Sequence, residues 1–254
     1  MKRYIYKQLL AWKNEKEHKP LILNGARQVG KTYILREFGR NEYKRMAFFS
    51  LDRDQKALEI FNKGGRATDM LMALSAICHE DITPHDTLVV LDEIQNCPKA
   101  LEALKFFCEE TPEIDIVVAG SLLGLSIHSG VSYPVGKVEE LHLYPMTFLE
   151  FLEAMGKTQL VNLLENKNWT VINMLETELI SSLRQYYYVG GMPAAVLAHI
   201  EKKGWKEVRR IQQQIITDYR RHFSKHAPTR EIPRINMVWD SIPAQLAKEN
   251  KKFV

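Results

Sequence analysis

The eight residues Gly25-Ala26-Arg27-Gln28-Val29-Gly30-Lys31-Thr32 constrain this chain more than any other segment. They follow a short apolar run, Leu21-Ile22-Leu23-Asn24, and precede a helical pattern from Tyr33 to Phe38. A short apolar run before a glycine turn predicts a buried strand. The glycines let successive backbone N–H groups turn inward, and the helix that follows aims its free N–H groups and dipole at the same spot. Such a concavity holds phosphate. Lys31 is spaced to reach the β- and γ-phosphates of a nucleotide, and the Thr32 hydroxyl to ligate Mg²⁺. The bare pattern arises by chance in roughly one in a hundred chains of this length. Here it has the strand–turn–helix context that the chemistry requires, against the alternative of a structural glycine turn.

A second element fits the first. Leu88-Val89-Val90-Leu91-Asp92-Glu93 is an apolar strand ending in two acids. Ligands of open α/β sheets sit beyond the carboxyl ends of the strands. Asp92 would therefore meet the metal, and Glu93 would polarise an attacking water as general base. The alternative is a pair of helix-capping acids. Val117-Val118-Ala119-Gly120-Ser121 is a further buried strand. Ser121 either bonds the γ-phosphate or the lytic water, or caps the next helix.

Strand signals also occur at Arg45–Leu51 and Ile114–Ala119. Helical patterns lie at residues 1–18, with Ile5, Leu9 and Trp12 on one face, at about Gln55–Cys78, and from Pro98 to about Glu109. Apolar strands alternating with helices predict an α/β fold with a parallel sheet covered on both faces. After residue 143 only helical patterns remain, broken at Gly190-Gly191-Met192-Pro193 and near Pro228 and Pro233. This divides the chain into a core over 1–143, a helical lid over 144–238 and the start of a further domain over 239–254. Trp239–Phe253 is an amphipathic run without a cap, which predicts that the natural chain continues past Val254.

Composition excludes several classes. The 254 residues are 45% hydrophobic, enough for a full core, and no apolar run is long enough to cross a bilayer. No signal-peptide pattern opens the chain. The three cysteines lack metal-ligand spacing and read as reduced thiols of a cytoplasmic protein. The net charge of +4 is uneven. Residues 201–254 carry 13 Lys and Arg against 6 Asp and Glu, a net of +7, which leaves −3 for residues 1–200. A basic segment of this kind suggests an anionic partner, DNA or an acidic protein, or else a solvated helical face.

The ordered set of motifs resembles the AAA+ and STAND-type P-loop ATPases. It most resembles a bacterial and archaeal family that joins an AAA+ core to a C-terminal domain of unknown function. The resemblance rests on Gly25–Thr32, Leu91-Asp92-Glu93-Ile94-Gln95, Ala119-Gly120-Ser121, Tyr144-Pro145-Met146-Thr147-Phe148-Leu149-Glu150-Phe151 and Tyr188-Val189-Gly190-Gly191-Met192-Pro193. It implies a P-loop NTPase sheet, an all-α lid and a C-terminal domain with a winged-helix-like opening at Trp239–Lys248. It implies ATP and Mg²⁺ as ligands. Gly25, Ala26, Arg27, Gln28, Val29, Gly30, Lys31, Thr32 and Tyr33 would hold the nucleotide. Thr32 and Asp92 would take the metal, and Glu93, Lys31 and Ser121 the catalytic roles. Pro193 would pack near the base. Relatives carry Gly-Arg where this chain has Gly136-Lys137. Lys137 is then either a weakened finger residue or a solvated lysine, because lysine lacks the planar fork. The resemblance implies ATP hydrolysis coupled to a conformational change, with oligomerisation on activation. The alternative is a nucleotide-gated DNA- or protein-binding switch with little turnover.

Overall fold

The computed structural model describes residues 1–121, 133–226 and 229–247. Its centre is a five-stranded parallel sheet in the order β2-β3-β4-β1-β5. The strands are β1 (Leu21–Gly25), β2 (Arg45–Ser50), β3 (Thr87–Asp92), β4 (Asp115–Ser121) and β5 (Glu139–Leu143). Successive side chains of a strand face opposite sides, and each side here has its own core. Ile22, Phe49, Val89, Leu91, Ile116 and Val118 pack on one side under α3 (Gln55–Lys63), α4 (Ala67–Cys78) and α5 (Pro98–Glu110). Leu21, Leu23, Leu88, Val90, Val117 and Ala119 pack on the other under α1 (Ile5–Asn14) and α2 (Lys31–Glu42). Burial of Ile5, Leu9 and Trp12 fixes which face of α1 meets the sheet.

Two expectations differ in detail. The stretch Gln55–Cys78 is two helices, because Gly64 and Gly65 both take positive φ and end the first of them. The strands are not all apolar throughout. β2 and β5 form the sheet edges, and each leaves part of its side chains accessible.

Beyond Leu143 the described residues contain helices only. They are α6 (Phe148–Ala154), α7 (Thr158–Glu165), α8 (Trp169–Met174), α9 (Glu176–Val189), α10 (Pro193–Ile200), α11 (Trp205–His226) and α12 (Ile232–Leu246). A third core of Met146, Phe151, Val189, Ala195, Val196 and Val208 ties α6, α9, α10 and α11 together. The turn between α9 and α10 explains its glycines. A Cβ at Gly191 would overlap the Met146 carbonyl oxygen, and the Met146 N–H donates to the Gly191 carbonyl at 2.7 Å. The chain passes too closely there for any side chain. α12 runs through residues 238–239 without a break. No helix among the described residues is long and apolar enough to cross a membrane.

Candidate functional site

The sheet order decides what can meet. β4 lies between β1 and β3, so the carboxyl ends of all three converge on one edge. Gly25 ends β1 in register with Ser121 at the end of β4. The Ser121 side chain lies outside the described residues.

The loop after β1 turns tightly into α2. Gly30 sits at φ 97, in the left-handed region that glycine enters without strain. Lys31 then opens the helix. The Lys31 ammonium donates to the carbonyls of Gly25 at 2.8 Å and Ala26 at 2.9 Å, which keeps it folded over the loop. Thr32, in the first turn of α2, donates from Oγ1 to Asp92 Oδ2 at 2.6 Å. Two residues sixty positions apart thus place two oxygens side by side, on the loop's helix and at the end of β3.

Glu93 follows at φ 57, a left-handed corner that turns the chain sharply after the strand. Its N–H donates to Asp92 Oδ1 at 3.0 Å. Gln95 donates from Nε2 to Glu93 Oε2, which holds that carboxylate at the cavity. A cavity of about 280 Å³ lies between the loop, Lys31, Thr32, Tyr33, Glu93 and His222 of α11. That is just below the range of small-ligand sites. A larger cavity, about 780 Å³, opens beside α9 and Trp205, but it contains neither a phosphate loop nor these acids.

Burial sets the electrostatics. It lowers the Lys31 pKa, while the Glu93 and Asp92 carboxylates pull it back up. Burial raises the Asp92 pKa, the Thr32 hydroxyl opposes this, and the like charge of Glu93 adds to the rise. Each ion is therefore costly as it stands and is relieved by an ion of opposite sign, an anion for Lys31 and a cation for Asp92. Paired hydroxyl and carboxylate oxygens are the donor set that Mg²⁺ prefers. The residues present fit a magnesium–triphosphate.

Other residues of the sequence reading also gather here. Val29 is fully buried, whereas Ala26, Arg27 and Gln28 are exposed. Tyr33 is exposed at the rim. Pro193, in the first turn of α10, brings its ring beside Gly30, where a Cβ would lie 3.8 Å from it. Lys137 is elsewhere, paired with Glu109 of α5 at 3.0 Å.

Two contributions were not visible in the sequence. The first is Arg3. Its guanidinium donates to Glu150 Oε1 at 3.1 Å, to the Val29 carbonyl at 3.0 Å and to the Tyr144 carbonyl at 2.6 Å. Glu150 is held in turn. It accepts the N–H of Tyr4 at 2.7 Å and forms a capping box with Thr147 at the start of α6. The signal was present as the spacing Thr147-x-x-Glu150, but nothing local pointed to Arg3. The second is α11. Tyr219 donates to the Arg27 carbonyl at 2.8 Å, and Gln28 Nε2 donates to Asp218 Oδ2 at 3.0 Å. His222, buried, lines the cavity from the same helix.

A family model described as an AAA domain matches residues 17–152, more than half of the chain. The chain belongs to this AAA family of P-loop ATPases. A second model, a domain of unknown function, matches residues 180–253 and so contains both α11 and α12. No curated protein matches. Among solved structures, the Walker-type ATPase Paby2304 of Pyrococcus abyssi is similar, with a TM-score of 0.55 and 16% identity over 89% of this chain and 76% of that one. The Drosophila ORC bound to DNA has a TM-score of 0.46 and 15% identity, covering 83% of this chain and 65% of its own. Cdc6p from Pyrobaculum aerophilum has a TM-score of 0.40 and 17% identity, covering 62% and 50%. Identities this low speak to the fold alone.

Proposed function

We propose that this AAA-family ATPase is a Mg²⁺-dependent ATP hydrolase of the STAND-like kind, in which turnover drives a movement of the helical lid. The observation that carries the reading is the 2.6 Å bond from Thr32 to Asp92. It joins the phosphate loop to the acidic strand end, as in-line attack on a loop-bound phosphate requires.

Lys31 would bind the β- and γ-phosphates, and the inward N–H groups of Gly25–Thr32 would cradle them. Thr32 and Asp92 would hold Mg²⁺, which when bound neutralises charge on the phosphate oxygens. Glu93 would orient a water and take its proton as the water oxygen bonds to the γ-phosphorus. The bond from that phosphorus to the bridging oxygen breaks, and ADP keeps the electron pair. Gln95 would hold Glu93 for this task. Ser121 is assigned to the γ-phosphate or the lytic water, and Pro193 to the base. ATP occupancy would reach the lid through Pro193 and α10. The reduced cysteines fit action in the cytoplasm.

The test is Glu93→Gln in the full chain. Phosphate release from ATP should fall by about 10²–10⁴-fold, while ATP affinity stays near that of wild type. Equal turnover by the two proteins would remove Glu93 from the mechanism.

The second reading is a nucleotide-gated module that docks DNA or an acidic protein on residues 201–254. Charge pairing narrows the surface that is free for such a partner. Lys203, Arg210, Arg220 and Arg221 already face Glu201, Glu207, Asp240 and Asp218. Among the described residues Lys202, Lys206 and Arg209 have no carboxylate partner, and they would contribute to the contact. Assembly into an oligomer on activation belongs to the same proposal.

A further inference from the structure

The outer corner of the phosphate loop is the part that its own residues hold least. Ala26, Arg27 and Gln28 are exposed, so packing does not fix them. Gln28 nevertheless takes φ 64, a left-handed conformation that side chains other than glycine rarely adopt. What reaches this corner is α11, some 190 residues later.

α11 presents one face to it. Ile215, Asp218, Tyr219 and His222 follow helical spacing, and the first and last of them are buried. Tyr219 donates to the Arg27 carbonyl, and Asp218 accepts from the Gln28 side chain. Asp218 is itself set by Gln214, which donates to its other oxygen at 2.8 Å. The Tyr219 ring stacks on Trp239 of α12, with centroids 5.8 Å apart and planes 13° apart. Phe223 meets the same tryptophan edge-on at 5.1 Å.

Peptide geometry gives these contacts a consequence. No peptide bond among the described residues is cis. In a trans peptide the C=O and the following N–H point to opposite sides. Tyr219 fixes the Arg27 carbonyl toward α11, so the Gln28 N–H of the same peptide is held to the opposite side. Asp218 fixes the Gln28 side chain and with it the left-handed turn. A loop corner that is fixed in advance binds more tightly than one that must be ordered by its ligand.

We propose that Tyr219 and Asp218 are positioning residues of the nucleotide site: from the domain of unknown function they hold the Arg27–Gln28 corner in its phosphate-binding form. Trp239, stacked on Tyr219, extends that hold to α12, so a partner that moves α12 changes nucleotide affinity. This rests on the reading of the loop as a nucleotide site.

The test is Tyr219→Phe in the full chain, which removes the hydroxyl and keeps the ring on Trp239. ATP and ADP affinities are measured by titration calorimetry. Both Kd values should rise about fivefold, the effect of one hydrogen bond. KM should rise with them, while kcat at saturating ATP and the thermal midpoint stay near wild type. A Gln28→Gly background separates positioning from a merely structural role. Glycine adopts the turn without help, so Tyr219→Phe should cost less affinity there. An unchanged or tighter Kd in Tyr219→Phe, or an equal loss in both backgrounds, would overturn the proposal. Lys31→Ala identifies which reading fails. If Lys31→Ala binds ATP as wild type does, the nucleotide-site reading falls and takes the positioning role with it. If Lys31→Ala loses ATP while Tyr219→Phe keeps full affinity, only the positioning role falls.

Discussion

The phosphate loop is gripped from two sides, and the grips are built differently. On the inner side Arg3 joins the Val29 and Tyr144 carbonyls to Glu150, with both charged side chains about 95% buried. On the outer side Tyr219 and Asp218 hold Arg27 and Gln28 through bonds open to solvent. A buried charge pair cannot open without stranding an ion away from water. A solvent-facing bond opens at little cost, because water replaces the lost partner. The inner grip therefore suits a permanent joint between the loop and the base of the lid. The outer grip suits a joint that can be made and released.

The largest effect expected from this contrast is on the inner side. Arg3→Ala leaves Glu150 buried without its ion partner and frees two backbone carbonyls. Breaking one half of a buried pair costs about 3–5 kcal/mol, a large share of the stability of an ordinary domain. Urea unfolding followed by far-UV circular dichroism measures it. A loss below about 1 kcal/mol would place the Arg3 grip in the same class as the Tyr219 grip and dissolve the comparison.

Gly191→Ala comes next. It tests the lid's anchor without touching any charge. The added methyl would overlap the Met146 carbonyl, which also accepts the Tyr186 hydroxyl at 2.8 Å. Overpacking of this kind costs about 1–3 kcal/mol, read as a lower thermal midpoint. If the lid is rooted by this close approach and by Glu150, Gly191→Ala and Arg3→Ala should be less than additive, since both loosen the same segment, Tyr144–Glu150. Strict additivity would separate the two anchors.

The inner and outer grips also differ in how they stand in the sequence. The loop itself, Asp92 and Glu93 were legible because each lies within a few residues of the strand that presents it, and local spacing carries the chemistry. β1 to β4 were legible for the same reason, whereas β5, Glu139-Glu140-Leu141-His142-Leu143 on the sheet edge, offers no apolar run and was missed. The break at Gly64-Gly65 was missed, although its signal, a glycine pair within a helical pattern, is equally local. Arg3 and Glu150 are 147 positions apart, and Tyr219 and Arg27 are 192. A lone arginine before the first helix and a tyrosine in a basic helix have no local pattern that names their partners. The excess of Lys and Arg over 201–254 pointed outward to a partner. A polar face of α11 meets the loop and its cavity, through Asp218, Tyr219 and His222.

The smallest effect concerns the other end of the helix that follows Arg3. α1 is pinned at its far end by Trp12, which donates from its indole to the Lys19 carbonyl at 2.8 Å and packs on His18 with centroids 4.5 Å apart. His18 Nε2 lies 2.9 Å from Asp115 Oδ1, and both side chains are nearly buried. The bond to Asp115 raises the His18 pKa above its ordinary value, against burial, which lowers it. His85, 4.0 Å from the same oxygen, and the Glu139 carboxylate complete the charged surroundings. A histidine whose pKa is higher folded than unfolded stabilises the fold in its protonated form. That contribution is whole below the unfolded value, about 6.5, and is lost as pH rises through the higher folded value. His18→Gln should therefore be less stable than wild type at pH 5, and the gap should close as pH rises beyond the folded pKa. Guanidinium groups do not titrate in this range, so the cost of Arg3→Ala should not follow the same curve. Above the His18 transition the far end of α1 loses the contribution of the charged imidazole but keeps the buried Trp12 and its bond to Lys19, and Arg3→Ala should then cost at least as much as it does at pH 5. A cost that shrinks with rising pH would mean that the two ends of α1 are not independent anchors, and that the inner grip draws part of its strength from His18.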